Sequence, residues 1–441
     1  MEYYFTEIDN FIMKIQILDY PEEIQEKVIY LLQDGKRLRP ILCIIFSDLE
    51  NSNLNNNQNH LDIFKVKTKT NLDLNNSNDE TTKIIYRFAS FIEQIHCLSL
   101  VLDDLPEMDN DSMRRGKASF HSKFSSDYTN FFIYYMFNRL GLSLTSILDT
   151  YIYSNINDNL NPKNNSILNN NIKFANKIKQ LLSSNLNILL DGQFNDLQSS
   201  FSKKPHQKQL LKKPHQKQLL KKPHQKQDLE NPARKLNEEI FLNIKGARGA
   251  EALARESRGA DALARELEGL KPSQQYINEI DIIIDFIEET GLEETDELSL
   301  AMIRNIDLNM KKTSSLFTLS ICSGFLLQLW IKQYEFEKYT IIYEKLKIWS
   351  NILGYMFQIS DDILDMEDDA VKDNPNICQI IGKENTSIVL KKGCGWLFVN
   401  IKKIVLECNT SLDNTNTYNC IHFNLDVIKE IIDKIVKRIE T

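Results

Sequence analysis

The sequence predicts an all-α fold, from long helical patterns, a low glycine content and the lack of strand patterns. The 441 residues include only 14 glycines, and no segment alternates apolar and polar residues as a half-buried strand does. Apolar residues recur three and four positions apart, the spacing of one helix face, in "PEEIQEKVIYLLQDG", "YRFASFIEQIHCLSLVLDD", "DELSLAMIRNIDLNMKKTSSLFTLSICSGFLLQLW" and "YEKLKIWSNILGYMFQISDDILD". We expect one helical domain over residues 1–441, interrupted by insertions.

Three low-complexity segments are expected to lie outside the helical core. Residues 48–80 and 155–171 are rich in asparagine and poor in aromatic residues, so they cannot bury enough apolar area to offset the entropy of ordering. We expect both to be surface loops. Residues 200–275 contain nine- and ten-residue repeats that match no stacking solenoid unit, and we expect a disordered or partly helical insertion. Roughly 290 to 300 residues remain, enough for one large helical domain.

Composition narrows the function classes. The formal net charge of −8 argues against nucleic-acid binding, although the lysine-rich repeats are locally basic. The seven cysteines form no C-x-x-C pair, which favours reduced core thiols over disulfides or zinc ligands. No segment reaches the roughly 18 to 20 uncharged residues of a membrane span, so an integral membrane protein is not expected. We expect a cytoplasmic location by default, with a plastid or mitochondrial location as the alternative.

Charged residues concentrate at the end of one apolar helix, in "SLVLDDLPEMDNDSMRRGKASFH" at residues 99–121. Asp103 and Asp109 lie six positions apart, a spacing that does not align them on a straight helix of 3.6 residues per turn. Pro106 breaks the helical hydrogen-bond ladder and lets the chain bulge. We therefore expect the carboxylates of Asp103 and Asp109 to converge.

A second acid cluster, "DDILD" at residues 361–365, ends another apolar segment. Asp361 and Asp365 lie four positions apart and share one helix face, with Asp362 beside them. Mg²⁺ is usually held by one or two carboxylates together with phosphate oxygens and water. One such motif alone is more often a solvated helix surface, but two clusters that face each other across a bundle would hold Mg²⁺ around a diphosphate.

Basic residues accompany both acid clusters. Guanidinium groups bind phosphate oxygens through two parallel hydrogen bonds, and lysine acts as a movable point charge. The motifs "GKRLRP", "RRG" and "KKT" supply Lys36, Arg37, Arg39, Arg114, Arg115, Lys311, Lys312 and Thr313. Carboxylates, metal and cations together predict a site for two diphosphates.

At these motifs the sequence resembles the trans-isoprenyl diphosphate synthases, which are head-to-tail prenyltransferases. The family's order is kept in "GKRLRP" (35–40), "IHCLSLVLDDLPEMDNDSMRRGKAS" (95–119), "DGQFNDL" (191–197), "KT" (312–313) and "GYMFQISDDILD" (354–365). The four residues between Asp104 and Asp109 are similar to the bacterial and plastid-type branch. The resemblance covers nearly all of the chain outside the insertions, and it implies an isoprenoid synthase-type helical bundle around a central apolar cavity.

The resemblance also implies roles for individual residues. Mg²⁺, with Mn²⁺ as an alternative, is expected on Asp103, Asp104, Asp109, Asp361, Asp362 and Asp365. The allylic diphosphate is expected on Arg114, Lys312, Thr313, Gln358 and Lys383, and isopentenyl diphosphate on Lys36, Arg39, His96 and Arg115. Gln193 and Asp196 match a further motif around the diphosphates. The residues expected to be catalytic are Asp103, Asp104, Asp109, Arg114, Lys312, Asp361 and Asp362.

The implied reaction joins isopentenyl diphosphate to a dimethylallyl, geranyl or farnesyl diphosphate. The metal and the cations stabilise charge on the leaving diphosphate, an allylic carbocation forms, and the double bond of isopentenyl diphosphate attacks it. Released pyrophosphate would accept the proton, because the motifs contain no obvious side-chain base. The family resemblance implies a homodimer.

The floor of the apolar pocket under the first cluster is expected to set product length. Leu98 and Ser99 lie five and four positions before Asp103, and Ile95 and Ile92 lie deeper on the same face. None of the four is aromatic, so we expect a product of twenty carbons (geranylgeranyl diphosphate) or longer.

Three departures from the family pattern keep a second function class open. Asp34 replaces the first glycine of G-G-K-R-x-R-P, "MFNRLGLS" (136–143) stands where relatives carry G-D-x-L, and the flap after the second cluster is only partly kept. A non-catalytic regulatory subunit of a heteromeric synthase is therefore the alternative. A terpene cyclase shares the first acid motif, but "DDILD" and "GKRLRP" argue against it.

Overall fold

The described part of the chain is almost entirely helical. The structure, a computed structural model, describes residues 1–48, 80–153, 162–203, 276–292, 296–372, 374–410, 421 and 423–440. Within these ranges the only sheet is an antiparallel hairpin of two short strands, β1 (Met113–Arg114) and β2 (Lys117–Ala118). The predicted all-α fold is confirmed.

Fifteen α-helices occupy the described ranges. They are α1 (Glu2–Asn10), α2 (Glu22–Leu32), α3 (Leu38–Phe46), α4 (Glu80–Asp103), α5 (Phe120–Phe124), α6 (Ser126–Tyr153), α7 (Pro162–Lys203), α8 (Ile277–Glu288), α9 (Asp296–Asn309), α10 (Ser315–Ile331), α11 (Thr340–Leu364), α12 (Met366–Lys372), α13 (Ile377–Ile381), α14 (Lys383–Thr410) and α15 (Leu425–Lys437). Two π-helical turns (Phe11–Ile15 and Met310–Ser314) and two 3₁₀ turns (Gln16–Asp19 and Phe336–Tyr339) complete the set.

Helix α10 forms the centre of the bundle. Every residue from Ser315 to Trp330 is buried, because α3, α7 and α11 pack around this helix. A helix that is apolar on all sides is stable only in such an interior position. A Cβ atom at Gly324 would collide with the carbonyl oxygen of Cys43, so the glycine allows α10 and α3 to approach closely.

Two helical segments are long and apolar enough to cross a membrane, contrary to the expectation from the sequence. They are Thr81–Asp103 and Leu298–Ile331, and 83% and 94% of their most apolar windows is buried inside the protein. The expected absence of a long uncharged run was wrong, because residues 313–331 carry no charged side chain. The burial of both segments does not contradict the separate expectation that the protein is not an integral membrane protein. Their apolar residues pack into the core. The six described cysteines are buried free thiols, as the sequence predicts.

The second asparagine-rich segment is partly helical, which corrects the loop expected at 155–171. Helix α7 already begins at Pro162. Asn171 is buried: its Nδ2 donates to the carbonyl oxygen of Ile152 (3.0 Å), and its Oδ1 accepts from the Trp330 indole (2.7 Å). The prediction from composition failed here because an asparagine whose side chain is fully hydrogen-bonded can occupy a core position. Most of the predicted insertions, residues 49–79, 154–161 and 204–275, lie outside the described residues.

Candidate active site

The first acid cluster lies where α4 ends. The backbone N–H of Asp109 donates to the carbonyl oxygen of Asp103 at 2.9 Å, so the chain folds back on itself after Pro106. This agrees with the bulge expected from the proline. Asp104 is buried and forms an ion pair with Arg114, whose Nε lies 2.9 Å from the Asp104 carboxylate. Burial raises the pKa of Asp104, and Arg114 opposes that shift.

The second acid cluster occupies the last turn of α11. Asp362 is 3% exposed, and its two carboxylate oxygens accept from the Gln358 amide at 2.8 Å and from the Ile377 N–H at 3.0 Å. Burial raises the pKa of Asp362 to about 7, although both hydrogen bonds oppose the shift. Asp361 and Asp365 lie outside the core, and burial together with repulsion from Asp361 raises the pKa of Asp365.

The π-helical turn Met310–Ser314 connects the two clusters. Lys312 Nζ lies 3.8 Å from the Asp103 carboxylate, and the Thr313 hydroxyl donates to Gln358 Oε1 at 2.7 Å. Gln358 in turn donates to Asp362. A π-helical turn widens the helix locally and often lies at a functional site. The K-T motif therefore lies between the two acid clusters.

Cations gather beside the acids. Arg39 is buried with its guanidinium 4.9 Å from the centre of the Phe317 ring, and burial lowers its pKa to about 10. Among the described residues, the Arg39 Nε has no hydrogen-bond partner. Burial also lowers the pKa of His96, and repulsion from Arg39 and Arg115 lowers it further. The imidazole is therefore neutral at pH 7. A buried guanidinium beside other cations is costly unless an anion lies between them, which indicates an anion site.

Lys36 extends this group of cations to the second acid cluster. Its pKa is lowered by burial and by repulsion from Arg438 and Arg115, while attraction to Asp361 opposes the shift. Arg37 does not belong to the group. It adopts a left-handed backbone conformation (φ 53°) and its guanidinium pairs with Glu93 (3.1 Å) and Asp9 (2.8 Å) inside the protein.

Asp34, where the family resemblance implies a glycine, adopts a backbone conformation that favours glycine. Its φ of 63° lies in the left-handed region, where aspartate is tolerated better than most side chains. The carboxylate is largely exposed and lies 3.4 Å from Lys117 Nζ. The acid at residue 34 thus faces Lys117.

Two residues that sequence reasoning did not select also lie at the clusters. Arg438, just beyond α15, forms an ion pair with Asp361 and donates to the Ser360 hydroxyl at 2.8 Å. Lys372, at the end of α12, forms a 2.5 Å ion pair with Asp111, which raises its pKa. Lys372 lies in the segment "AVKDN" directly after the second acid cluster, so its position in the sequence was a signal that could have been used. The regular helical pattern of α15 carries no signal for Arg438.

Two predicted binding residues lie apart from these contacts. Lys383 begins α14 and is exposed. Burial raises the pKa of the Cys378 thiol, and the positive charge of Lys383 opposes that shift. Gln193 lies in α7, where a Cβ atom at Gly192 would come within 2.9 Å of Lys311 Cβ, so this helix packs against the K-K-T segment. The buried Oε1 of Gln193 has no hydrogen-bond partner in the described part of the protein. The side chain of Asp196 is outside the description.

The expected pocket residues line the core under the first cluster. Leu98, Ile95 and Ile92 are buried, and the buried Ser99 donates to the carbonyl oxygen of His96 at 2.8 Å. A cleft of about 40 Å³ lies beside the first cluster, between α2, α4 and the hairpin, and Tyr30, Asp104 and Arg114 contribute to its walls. None of the predicted floor residues lines that cleft.

The carboxylates fit a metal that is shared with a substrate. In the described ranges no three acid, histidine or cysteine side chains are arranged to hold one ion by themselves. Asp103 is 15% exposed and Asp361 30% exposed at the side chain, so each cluster offers a hard oxygen donor outside the core. Mg²⁺ needs only one or two such donors when phosphate oxygens and water complete its shell.

Comparison with known proteins finds a family match and several relatives. The polyprenyl synthetase family model matches residues 21–218. The chain is 35% identical over 108 residues to the heterodimeric geranylgeranyl pyrophosphate synthase large subunit 1, chloroplastic, of Arabidopsis thaliana (24% of this chain, 22% of the relative). It is 30% identical over 109 residues to a dimethylallyltranstransferase of Fischerella ambigua (24% and 23%). The chain thus aligns with less than a quarter of the length of these curated relatives.

Two solved structures align with most of the chain, each with a TM-score below 0.5. A geranyltranstransferase from Thermotoga maritima superposes with a TM-score of 0.48 at 15% identity, covering 98% of each chain. A geranyltransferase from Helicobacter pylori, complexed with magnesium and isoprenyl diphosphate, gives a TM-score of 0.49 at 14% identity, covering 99% of this chain and 97% of the other.

Proposed function

We propose that the protein is a divalent-metal-dependent prenyltransferase, because the polyprenyl synthetase family model matches residues 21–218 of this chain. It condenses isopentenyl diphosphate with an allylic diphosphate, head to tail and in the trans configuration, and releases pyrophosphate. The observation that carries the proposal is the contact path from Asp103 through Lys312 and Thr313 to Gln358 and Asp362, which brings two acid clusters and a lysine to one site.

The carboxylates of the two clusters are the proposed metal ligands. Asp103, Asp109, Asp361 and Asp365 would contact Mg²⁺ from the protein side. Asp104 and Asp362, which accept hydrogen bonds from Arg114 and Gln358, complete the proposed set. Bound Mg²⁺ would act as a Lewis acid on the diphosphate oxygens.

The cations are proposed to do the electrostatic work of the reaction. Lys312 and Arg114 would stabilise the negative charge that develops on the leaving diphosphate, an effect that is large in a site that excludes water. Arg39, His96 and Arg115 would hold isopentenyl diphosphate, together with Lys36. Neutral His96 can donate one hydrogen bond to a phosphate oxygen without adding repulsion against Arg39. Released pyrophosphate would take the proton.

The buried helices beneath the clusters are proposed to hold the prenyl chain. The part of α4 before Asp103 is apolar and buried, and the central helix α10 is buried along its whole length. Such surroundings exclude water from a carbocation, which water would otherwise capture. With no aromatic residue at 92, 95, 98 or 99, the proposed product is a geranylgeranyl chain or longer.

The proposed quaternary structure is a homodimer that uses helix α6. Phe131 is 79% exposed, Tyr134 75% and Leu142 56%, so one face of α6 is apolar and open to solvent. Large exposed aromatic residues that lie close together on a monomer usually mark an interaction surface. A second copy of the same helix is the proposed partner.

The decisive experiment combines the full-length protein, Mg²⁺, labelled isopentenyl diphosphate and allylic primers of increasing length. We expect labelled polyprenyl diphosphate from at least one primer and none from the Asp361→Ala variant. If the wild type is as inactive as Asp361→Ala with every primer, the proposed enzyme activity is refuted. If such an inert wild type then raises the rate of a separate prenyl diphosphate synthase, the chain is the regulatory subunit instead.

A further inference from the structure

Asn376 is a buried side chain between the second acid cluster and α13 to which the proposed mechanism gives no role. The residue is 1% exposed. Its Nδ2 donates to the carbonyl oxygen of Asp362 at 2.7 Å and to the Asp369 carboxylate at 2.8 Å. Its Oδ1 accepts from the N–H of Cys378 at 2.8 Å. One amide therefore connects α11, α12 and α13.

The contacts of Asn376 fix the last turn of α11. The Asp362 carbonyl is one of the final carbonyls of this helix, which have no N–H partner within the helix. Asn376 supplies the missing donor, while the next residue, Ile377, donates its N–H to the Asp362 carboxylate at 3.0 Å. The backbone and the side chain of Asp362 are thus both held. The same turn carries Asp361 and Asp365.

The contact with Asp369 fixes the helix that follows. Asp369 lies in α12, where its carboxylate also accepts from Asn374 at 3.3 Å. The N–H of Asp369 donates to the carbonyl oxygen of Asp365 at 2.8 Å, so the position of α12 is coupled directly to the second cluster. Lys372, which pairs with Asp111 near the first cluster, ends the same short helix.

We propose that Asn376 is a positioning residue that holds Asp361 and Asp365 in the arrangement in which they bind a divalent metal ion. The inference rests on the proposed prenyltransferase function. Ligand-orienting partners of this kind usually change metal affinity 10- to 100-fold when they are removed. The role requires an amide: a carboxylate at position 376 could still accept from the Cys378 N–H, but it could not donate to Asp362 and would face Asp369.

The test compares Asn376→Asp with a matched control. Asn385→Asp makes the same chemical change nearby. In the described part of the protein, the Asn385 amide donates to the carbonyl oxygen of Ile381, one helical turn earlier, at 2.9 Å. The measured quantity is the affinity of the full-length protein for Mn²⁺ in the presence of inorganic pyrophosphate, from the electron paramagnetic resonance signal of free Mn²⁺. We expect Asn376→Asp to bind Mn²⁺ about tenfold more weakly or worse, and Asn385→Asp to stay within about twofold of wild type.

A second readout separates positioning from folding. In the condensation assay, the metal concentration for half-maximal rate should shift by the same factor for Asn376→Asp, and the rate should recover to near the wild-type value at saturating metal. A lower melting temperature with fewer active molecules and an unchanged metal midpoint would assign Asn376 to stability alone and overturn the proposal. If Asn376→Asp does not fold, Asn376→Ser, which keeps an acceptor for the Cys378 N–H, takes its place.

The wild-type arm separates this inference from the proposed function. If Asn376→Asp binds Mn²⁺ as tightly as wild type does, the positioning role is overturned and the proposed prenyltransferase function is unaffected. No Mn²⁺ binding by wild type in the presence of pyrophosphate overturns the metal-dependent site, and the positioning role falls with it.

Discussion

Asp362 should make the stability of the metal-free protein fall as the pH rises. Its pKa is raised by burial from 3.8 to about 7 in the folded protein. A carboxyl group with a raised folded pKa binds its proton more tightly when folded, so its contribution is fully present below pH 3.8. That contribution is lost as the pH rises through about 7. A shift of about three pKa units, at about 1.4 kcal/mol per unit, corresponds to ~4 kcal/mol as an upper value.

The measurement compares urea unfolding of wild type and Asp362→Asn in EDTA at pH values from 4 to 8. Asparagine does not titrate, so the stability difference between the two proteins, wild type minus variant, should decrease by up to ~4 kcal/mol over this range. Asp368→Asn, on the exposed side of α12, changes the net charge equally and is the matched control. A difference that stays constant with pH, or one that Asp368→Asn reproduces, would show that Asp362 is not the group that titrates.

Three further changes test other parts of the structure. Leu98→Phe or Ser99→Phe should shorten the prenyl product in the condensation assay, and an unchanged product length would mean that the floor lies elsewhere. Asn171→Ala should lower the free energy of unfolding by about 2–4 kcal/mol, because the Trp330 indole and a buried carbonyl oxygen lose their partner; a loss below about 0.5 kcal/mol in urea unfolding would contradict this. Phe131→Glu should convert a dimer to a monomer in light scattering, and a dimer that persists would move the interface away from α6.

Local sequence signals predicted the helices and the turn at the first acid cluster. The three-and-four spacing of apolar residues foretold α10 and α11, because helix periodicity depends only on neighbours within a few turns. Pro106 foretold the turn that brings Asp109 back to Asp103, again from local backbone chemistry. Lys312 of the K-T motif lies 3.8 Å from Asp103, while its contact with a diphosphate stays a prediction.

Contacts between distant parts of the chain were not visible in the sequence. Arg438 meets Asp361 across 77 positions, and Lys372 meets Asp111 across 261. Nothing in the local pattern of α15 distinguishes Arg438 from the solvated lysines beside it. The prediction for Asn171 failed for the opposite reason. Its neighbours in the sequence indicate a loop, but in the core its side-chain oxygen accepts a hydrogen bond from the Trp330 indole. Both kinds of error arise where tertiary contacts outweigh local preference.

The two D-D pairs divide their carboxylates in the same way, and helix geometry explains why. Adjacent residues on a helix point about 100° apart, so two neighbouring aspartates differ in their surroundings. In the first pair Asp104 turns inward to Arg114, and in the second Asp362 turns inward to Gln358 and the Ile377 N–H. The partners Asp103 and Asp361 stay outside the core and pair with Lys312 and Arg438.

An inward carboxylate costs desolvation, which its hydrogen bonds only partly offset, and the raised pKa of both Asp104 and Asp362 records that cost. The gain is geometric: each buried carboxylate ties its helix end to a neighbouring segment, so the outward carboxylate beside it has a fixed position. Replacement of an inward aspartate should therefore disturb the outward one, and the two members of a pair are not expected to act independently in a double-mutant cycle.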